Sequence, residues 1–201
     1  MIPLKNPNKK STETIFSKSF DPIYNKTKDI SNYLSSISVI HITDIQNLPN
    51  IMSQGLKIEK SVTPTGATEI IEISKRIKKE LEITQDRYKT IYAKFNDKEL
   101  TDSDINELQS RKETFIEFKI NVDDPYIFVA DFNYINKAIS NQLNFNRTKD
   151  YDYIYDMERE LYDYWKSFVS ISQYINKRKY DNPEILIFHN IEPSKLRILI
   201  K

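Results

Sequence analysis

His41 and Thr43 stand two residues apart in the β-branched run Ile37-Ser38-Val39-Ile40-His41-Ile42. Strand alternation puts both side chains on one face at the strand's end. Two hydrogen-bonding groups there suit a ligand such as an amide or a sugar hydroxyl; the alternative is a satisfied core histidine beside an edge threonine. Glu184 opens a second apolar run, Glu184-Ile185-Leu186-Ile187-Phe188, directly after Pro183. A carboxylate at a strand mouth can stabilise a developing cation or polarise a hydroxyl, or simply face solvent. Between Asn176 and Pro183 runs a basic loop with Lys177, Arg178 and Lys179, followed by Tyr180. Such a loop can contact phosphates and stack a base, or be a solvated turn. Tyrosines 151, 153, 155, 162 and 164 and Trp165 form an aromatic stretch; Ile154, Leu161 and Trp165 read as core, and the tyrosines stay open.

Other chemistries are excluded by composition. The 201-residue chain has no cysteine and two histidines. Thiolate metal sites, disulfides and cysteine nucleophiles are therefore impossible, and no ligand cluster has zinc spacing, so no metal is expected. Two glycines leave no G-x-G-x-x-G and no phosphate-cradling P-loop. Thirty basic against twenty-nine acidic residues give a net charge of +1. That is too little for passive gripping of long nucleic acid, so any such contact is local. No apolar run reaches a membrane span and no signal-like apolar segment opens the chain, so a cytoplasmic protein without membrane contact is expected.

The elements that must position these residues follow from periodicity and punctuation. A polar arm is expected over residues 1–20, then a short helix from Asp21 to Ser36 and a strand over 37–42. Asn47 reads as an N-cap, Pro49 sits in the first turn, and Gly55 stops that helix. After a loop at 60–68, Ile70, Ile73, Ile77, Leu81 and Tyr88 predict a helix from Thr68 to about Ala93. A second helix starts at the T-D-S-D of Thr101. Together they read as a charged helical hairpin inserted over 68–112, suited to target choice. Strands are expected at 115–120, 126–130, 184–188 and 196–200, with helices at 132–141 and 151–170. The sum is one α+β domain over 1–201, a mostly antiparallel sheet with flanking helices.

The segment VIHITDIQNLPNIMSQGL resembles the N-terminal signature of the DarT family, through His41, Thr43, Ile45, Asn47, Leu48, Pro49, Ile51, Gly55 and Leu56. PYIFVADFNYI and the stretch from Trp165 to N-P-E-I-L-I-F resemble later family segments in the same order. The resemblance covers roughly residues 37–60 and 126–200. It implies an ADP-ribosyltransferase-like split antiparallel sheet that holds NAD⁺ as co-substrate without a glycine loop. It further implies that His41, Thr43, Asn47 and Leu56 bind the dinucleotide and that Glu184 is catalytic. The family also uses an arginine between these motifs. Arg76 lies nearest in spacing, with Arg147 the rival, itself also a nucleic-acid contact beside Lys177, Arg178 and Tyr180.

Three functions are compatible with this reading. The first is NAD⁺-dependent modification of a nucleobase in single-stranded DNA or RNA, as the toxin of a toxin–antitoxin or phage-defence pair with a cognate antitoxin. The second is an ADP-ribosyltransferase with a protein acceptor. The third is a non-enzymatic nucleic-acid or partner-binding module on the same fold.

Overall fold

The computed structural model describes residues 36–58, 68–96, 102–177 and 180–199. The expected arm, the helix from Asp21, the loop at 60–67, the cap at Thr101, Arg178 and Lys179 lie outside the described residues. Contacts divide the chain at residue 36, and Ile37–Lys201 is one compact unit.

The β-branched and aromatic runs become seven strands: β1 (Ser36–Asp44), β2 (Ile91–Phe95), β3 (Glu113–Asn121), β4 (Ile127–Asp131), β5 (Val169–Ser170), β6 (Pro183–Ile187) and β7 (Arg197–Ile198). They form one antiparallel sheet in the order β5-β4-β6-β2-β1-β3-β7. β6 is an interior strand, between β4 and β2, and Ile185, Leu186 and Ile187 are fully buried. A strand covered on both faces reads as a continuous apolar run, which is why this segment was legible. Among the described residues six α-helices connect and cover the sheet: α1 (Leu48–Gln54), α2 (Thr68–Glu80), α3 (Asp102–Arg111), α4 (Phe132–Thr148), α5 (Asp152–Ser167) and α6 (Ile171–Lys177). No helix among the described residues is long and apolar enough to cross a membrane.

Period-2 alternation sorts the core into two faces. Ile91, Ala93, Ile127, Val129, Ile185 and Ile187 pack with Leu56, Ile171 and Tyr174. Tyr92, Ala130 and Leu186 face the opposite way, onto α2, α4 and α5, with Ile77, Met157, Leu161, Tyr164 and Trp165. Trp165 Nε1 donates to Ser74 Oγ at 2.8 Å, tying α5 to α2. Burying each large apolar side chain contributes about 1.5–3 kcal/mol, so the helical layer is firmly seated. A third, smaller cluster joins Ile40, Phe115 and Leu108 of α3.

The helical hairpin expected over 68–112 is not formed. The helix stops at Glu80, and residues 91–95 are an interior strand between β1 and β6. The physical reason is a helix stop with no glycine. Glu82 takes the left-handed conformation at φ 56°. Ile83 N–H then reaches the Lys78 carbonyl at 2.9 Å and Glu82 N–H the Lys79 carbonyl at 3.4 Å. This is the Schellman pattern, usually signalled by glycine at the position of Glu82. Lys112 and Lys149 adopt the same conformation after α3 and α4, at φ 58° and 59°. Two smaller differences concern helix ends. The helix from Phe132 extends to Thr148, and the one expected over 151–170 ends at Ser167 before the short strand β5 and helix α6.

Candidate active site

β1 and β2 diverge after a short stretch of pairing. Their pairing is confined to Val39 with Phe95 and Ile40 with Lys94. One residue further along β1, His41 Nδ1 donates to the Tyr92 carbonyl at 2.7 Å, taking up an acceptor that the diverging strand has released. A carbonyl only accepts, so the proton is on Nδ1 and Nε2 is the ring's acceptor. Burial lowers the His41 pKa, partly offset by that backbone bond, and so favours the neutral ring.

Two cavities flank this divergence. A smaller one of about 280 Å³ is walled by His41, Ile40, Tyr92, Lys94, Phe132, Asn182, Arg87 and Glu184. A larger one of about 590 Å³ is walled by His41, Thr43, Asn47, Asn50, Gln54, Leu56, Tyr92 and Glu113. His41 and Tyr92 belong to both, so the two cavities meet at the strand divergence. The larger lies inside the range of small-molecule sites, roughly 300–1,000 Å³.

Glu184 is the chemical centre of the smaller cavity. It is only 5% exposed, and alternation along β6 turns it with Leu186 toward α5. Arg87, from the turn between α2 and β2, meets it there. Arg87 Nη2 donates to Glu184 Oε2 at 3.0 Å and to Oε1 at 3.3 Å. Arg87 Nε donates to the Tyr164 hydroxyl at 3.0 Å and Nη1 to the Tyr92 hydroxyl at 3.1 Å. Tyr164, wholly buried on α5, donates its own proton to Glu184 Oε1 at 2.6 Å. Tyr92 donates to the Arg87 carbonyl. The guanidinium also lies over both rings, 4.7 Å from the centroid of Tyr92 and 5.6 Å from that of Tyr164. Burial by itself would lower the Arg87 pKa, but the oxygens of Tyr164, Glu184 and Tyr92 hold it above its usual range. Burial pushes the Tyr164 and Tyr92 phenols up, against the pull of Arg87, so both remain protonated donors.

No family model, curated protein or solved structure matches this chain.

The sequence candidates therefore divide by position. His41 and Glu184 share the smaller cavity, and His41, Thr43, Asn47 and Leu56 share the larger. Asn47 occupies the N-cap position of α1 without capping it; its amide donates to Thr43 Oγ1 at 3.4 Å instead. Arg76 is not brought to Glu184. It projects from the outer side of α2 and pairs with Glu158 at 2.7 Å, with just over half of its side chain exposed. Arg147 and Lys177 are exposed at helix ends, and neither lines the two cavities. The Tyr180 ring packs 5.2 Å from that of Tyr174, and its hydroxyl donates to the Ser167 carbonyl at 2.5 Å, so the ring is committed to the fold.

Arg87, Tyr92 and Tyr164 are the functional candidates that sequence reasoning missed. Arg87 and Tyr92 lay hidden in the supposed helix 68–93. The alternation Ile91-Tyr92-Ala93-Lys94-Phe95 is the signal that would have released them. Tyr164 lay in a stretch whose rings are split by the fold: Tyr151 and Tyr155 are exposed while Tyr164 is buried against the carboxylate.

Proposed function

We propose that this chain is an NAD⁺-dependent ADP-ribosyltransferase of the DarT kind, acting on a nucleobase of single-stranded DNA or RNA. Its expected setting is a toxin–antitoxin or phage-defence pair with a cognate antitoxin. One observation carries the reading: a buried carboxylate, oriented by Arg87 and Tyr164, sits in a cavity that shares His41 with a second, larger cavity beside the short β1–β2 pairing. Perturbed, mutually engaged ionisable groups in a cleft are what active sites assemble. Two adjoining compartments suit an elongated dinucleotide, and side chains of the strands replace a glycine cradle.

In this reading the neutral His41 accepts a hydrogen bond from NAD⁺, and Thr43 and Asn47 hold the remainder of the dinucleotide. Breaking the nicotinamide–ribose bond sends its electron pair to the nicotinamide, which leaves neutral. Positive charge then builds on the ribose, and Glu184 stabilises it electrostatically. A lone pair on a base nitrogen forms the new bond to the anomeric carbon. The proton lost from that nitrogen passes to the Glu184 carboxylate and on to water. The base must be unpaired or taken out of the stack to reach the carbon.

The test is incubation with labelled NAD⁺ and either total nucleic acid or lysate, then separate nuclease and protease digestion. Label released by nuclease supports the proposal; absence of NAD⁺ consumption with either acceptor pool refutes it. A protein acceptor is the second reading. It is favoured by the net charge of +1 and by the positions of Lys177 and Arg147, which line neither cavity. Label that resists nuclease and is released by protease would establish it.

A further inference from the structure

We propose that Tyr164 is a positioning residue that assigns the two oxygens of Glu184 different tasks, tying Oε1 to the helical layer and leaving Oε2 to act on the ribose. The inference rests on the transferase reading above.

The Tyr164 hydroxyl has one proton and two neighbours, Arg87 Nε at 3.0 Å and Glu184 Oε1 at 2.6 Å. Arg87 only donates, so the hydroxyl proton must go to the carboxylate. The direction of the bond is thereby fixed. Oε1 also receives the longer Arg87 contact at 3.3 Å, whereas Oε2 is held by Arg87 alone, at 3.0 Å. Oε1 is therefore the anchored oxygen, and Oε2 keeps more unused lone-pair capacity. A wholly buried ring on α5, beside Trp165 and its bond to Ser74, makes the anchor rigid. Such a hydroxyl does nothing for ring burial, which a phenylalanine would keep; it acts on the orientation of the carboxylate, directly and through the Arg87 guanidinium that holds it.

The experiment compares Tyr164→Phe with the full wild-type chain in steady-state NAD⁺ consumption. The expected result is a fall in kcat of about 10- to 100-fold, with KM for NAD⁺ nearly unchanged. In the Glu184→Gln background, Tyr164→Phe should have no further effect on kcat, because both bonds of the hydroxyl, to Oε1 and to Arg87, reach the chemistry through the carboxylate. Placing 4-aminophenylalanine at 164 restores a donor to Oε1 and should return a large part of kcat. That variant also serves if the phenylalanine variant does not fold: a folded but inactive 4-aminophenylalanine protein overturns the inference. Equal kcat for wild type and Tyr164→Phe overturns it too, as does the same fractional loss with and without Glu184. A wild-type chain that turns over no NAD⁺ refutes the transferase reading itself, and the inference falls with it.

Discussion

Arg87→Met removes the cation from the centre of the site and leaves Glu184 buried without its ion-pair partner. Both side chains are shielded, at 14% and 6% exposure, so solvent screening does not soften the loss. Breaking such a pair by deleting one member costs about 3–5 kcal/mol, because a buried charge is stranded. For a chain of this size, 1 kcal/mol moves the melting point by roughly 2–4 °C. The expected fall in Tm is thus on the order of 6–20 °C. The double variant Arg87→Met/Glu184→Leu replaces the pair by apolar groups of similar bulk and should recover most of that loss. Urea unfolding followed by circular dichroism measures both, and the cycle should show a coupling on the order of 2–3 kcal/mol. An Arg87→Met protein destabilised by less than about 1 kcal/mol would mean that the pair behaves as a surface ion pair, and the picture of a dry, preorganised carboxylate would be wrong.

Three further outcomes are expected. Glu184→Gln should fold yet lose roughly 10²-fold or more in transfer rate, read with labelled NAD⁺; near-wild-type turnover would remove Glu184 from the chemistry. His41 has a pKa lowered by burial in the folded chain, against an ordinary value of 6.5, so the unfolded chain binds the extra proton first. Its contribution to stability is complete above about pH 6.5 and is lost as pH falls through the lower folded value; His41→Gln should flatten that acid limb in unfolding curves taken between pH 5 and 8, and an unchanged limb would show that burial is not felt at the ring. Gly55 combines φ 81° with ψ −179°, a region held almost exclusively by glycine, and an added Cβ would meet the Ile191 carbonyl at 2.0 Å. Gly55→Ala should cost more than about 1–3 kcal/mol and, by disturbing the Leu56–Ile191 bridge beside the larger cavity, weaken NAD⁺ binding in calorimetry; a wild-type melting point would refute this.

The residues themselves carried the interior strand β6 and the helix stop at Gly55. Ile185–Ile187 announce a strand buried on both faces because no polar residue interrupts them, and Glu184 at its head is conspicuous for the same reason. The alternation of His41 and Thr43 was also local, because a strand's side-chain period depends on nothing beyond the strand. Arg87 was not legible. Its place depends on a helix ending at Glu80 through the left-handed Glu82, where the usual glycine signal is missing. Holding a non-glycine residue in that conformation costs about 1–2 kcal/mol, and tertiary packing of α2 and β2 offsets it. Local propensity therefore pointed to a continuous helix while the sheet demanded a strand. Arg76 and Arg87 differ by eleven positions in a lysine- and glutamate-rich segment, and only the fold decides that one reaches solvent and Glu158 while the other reaches Glu184. The partnership of Tyr164 with that carboxylate is likewise a tertiary fact. It joins residues on a helix and a strand, and the direction of its hydrogen bond follows from which neighbours happen to be donors only.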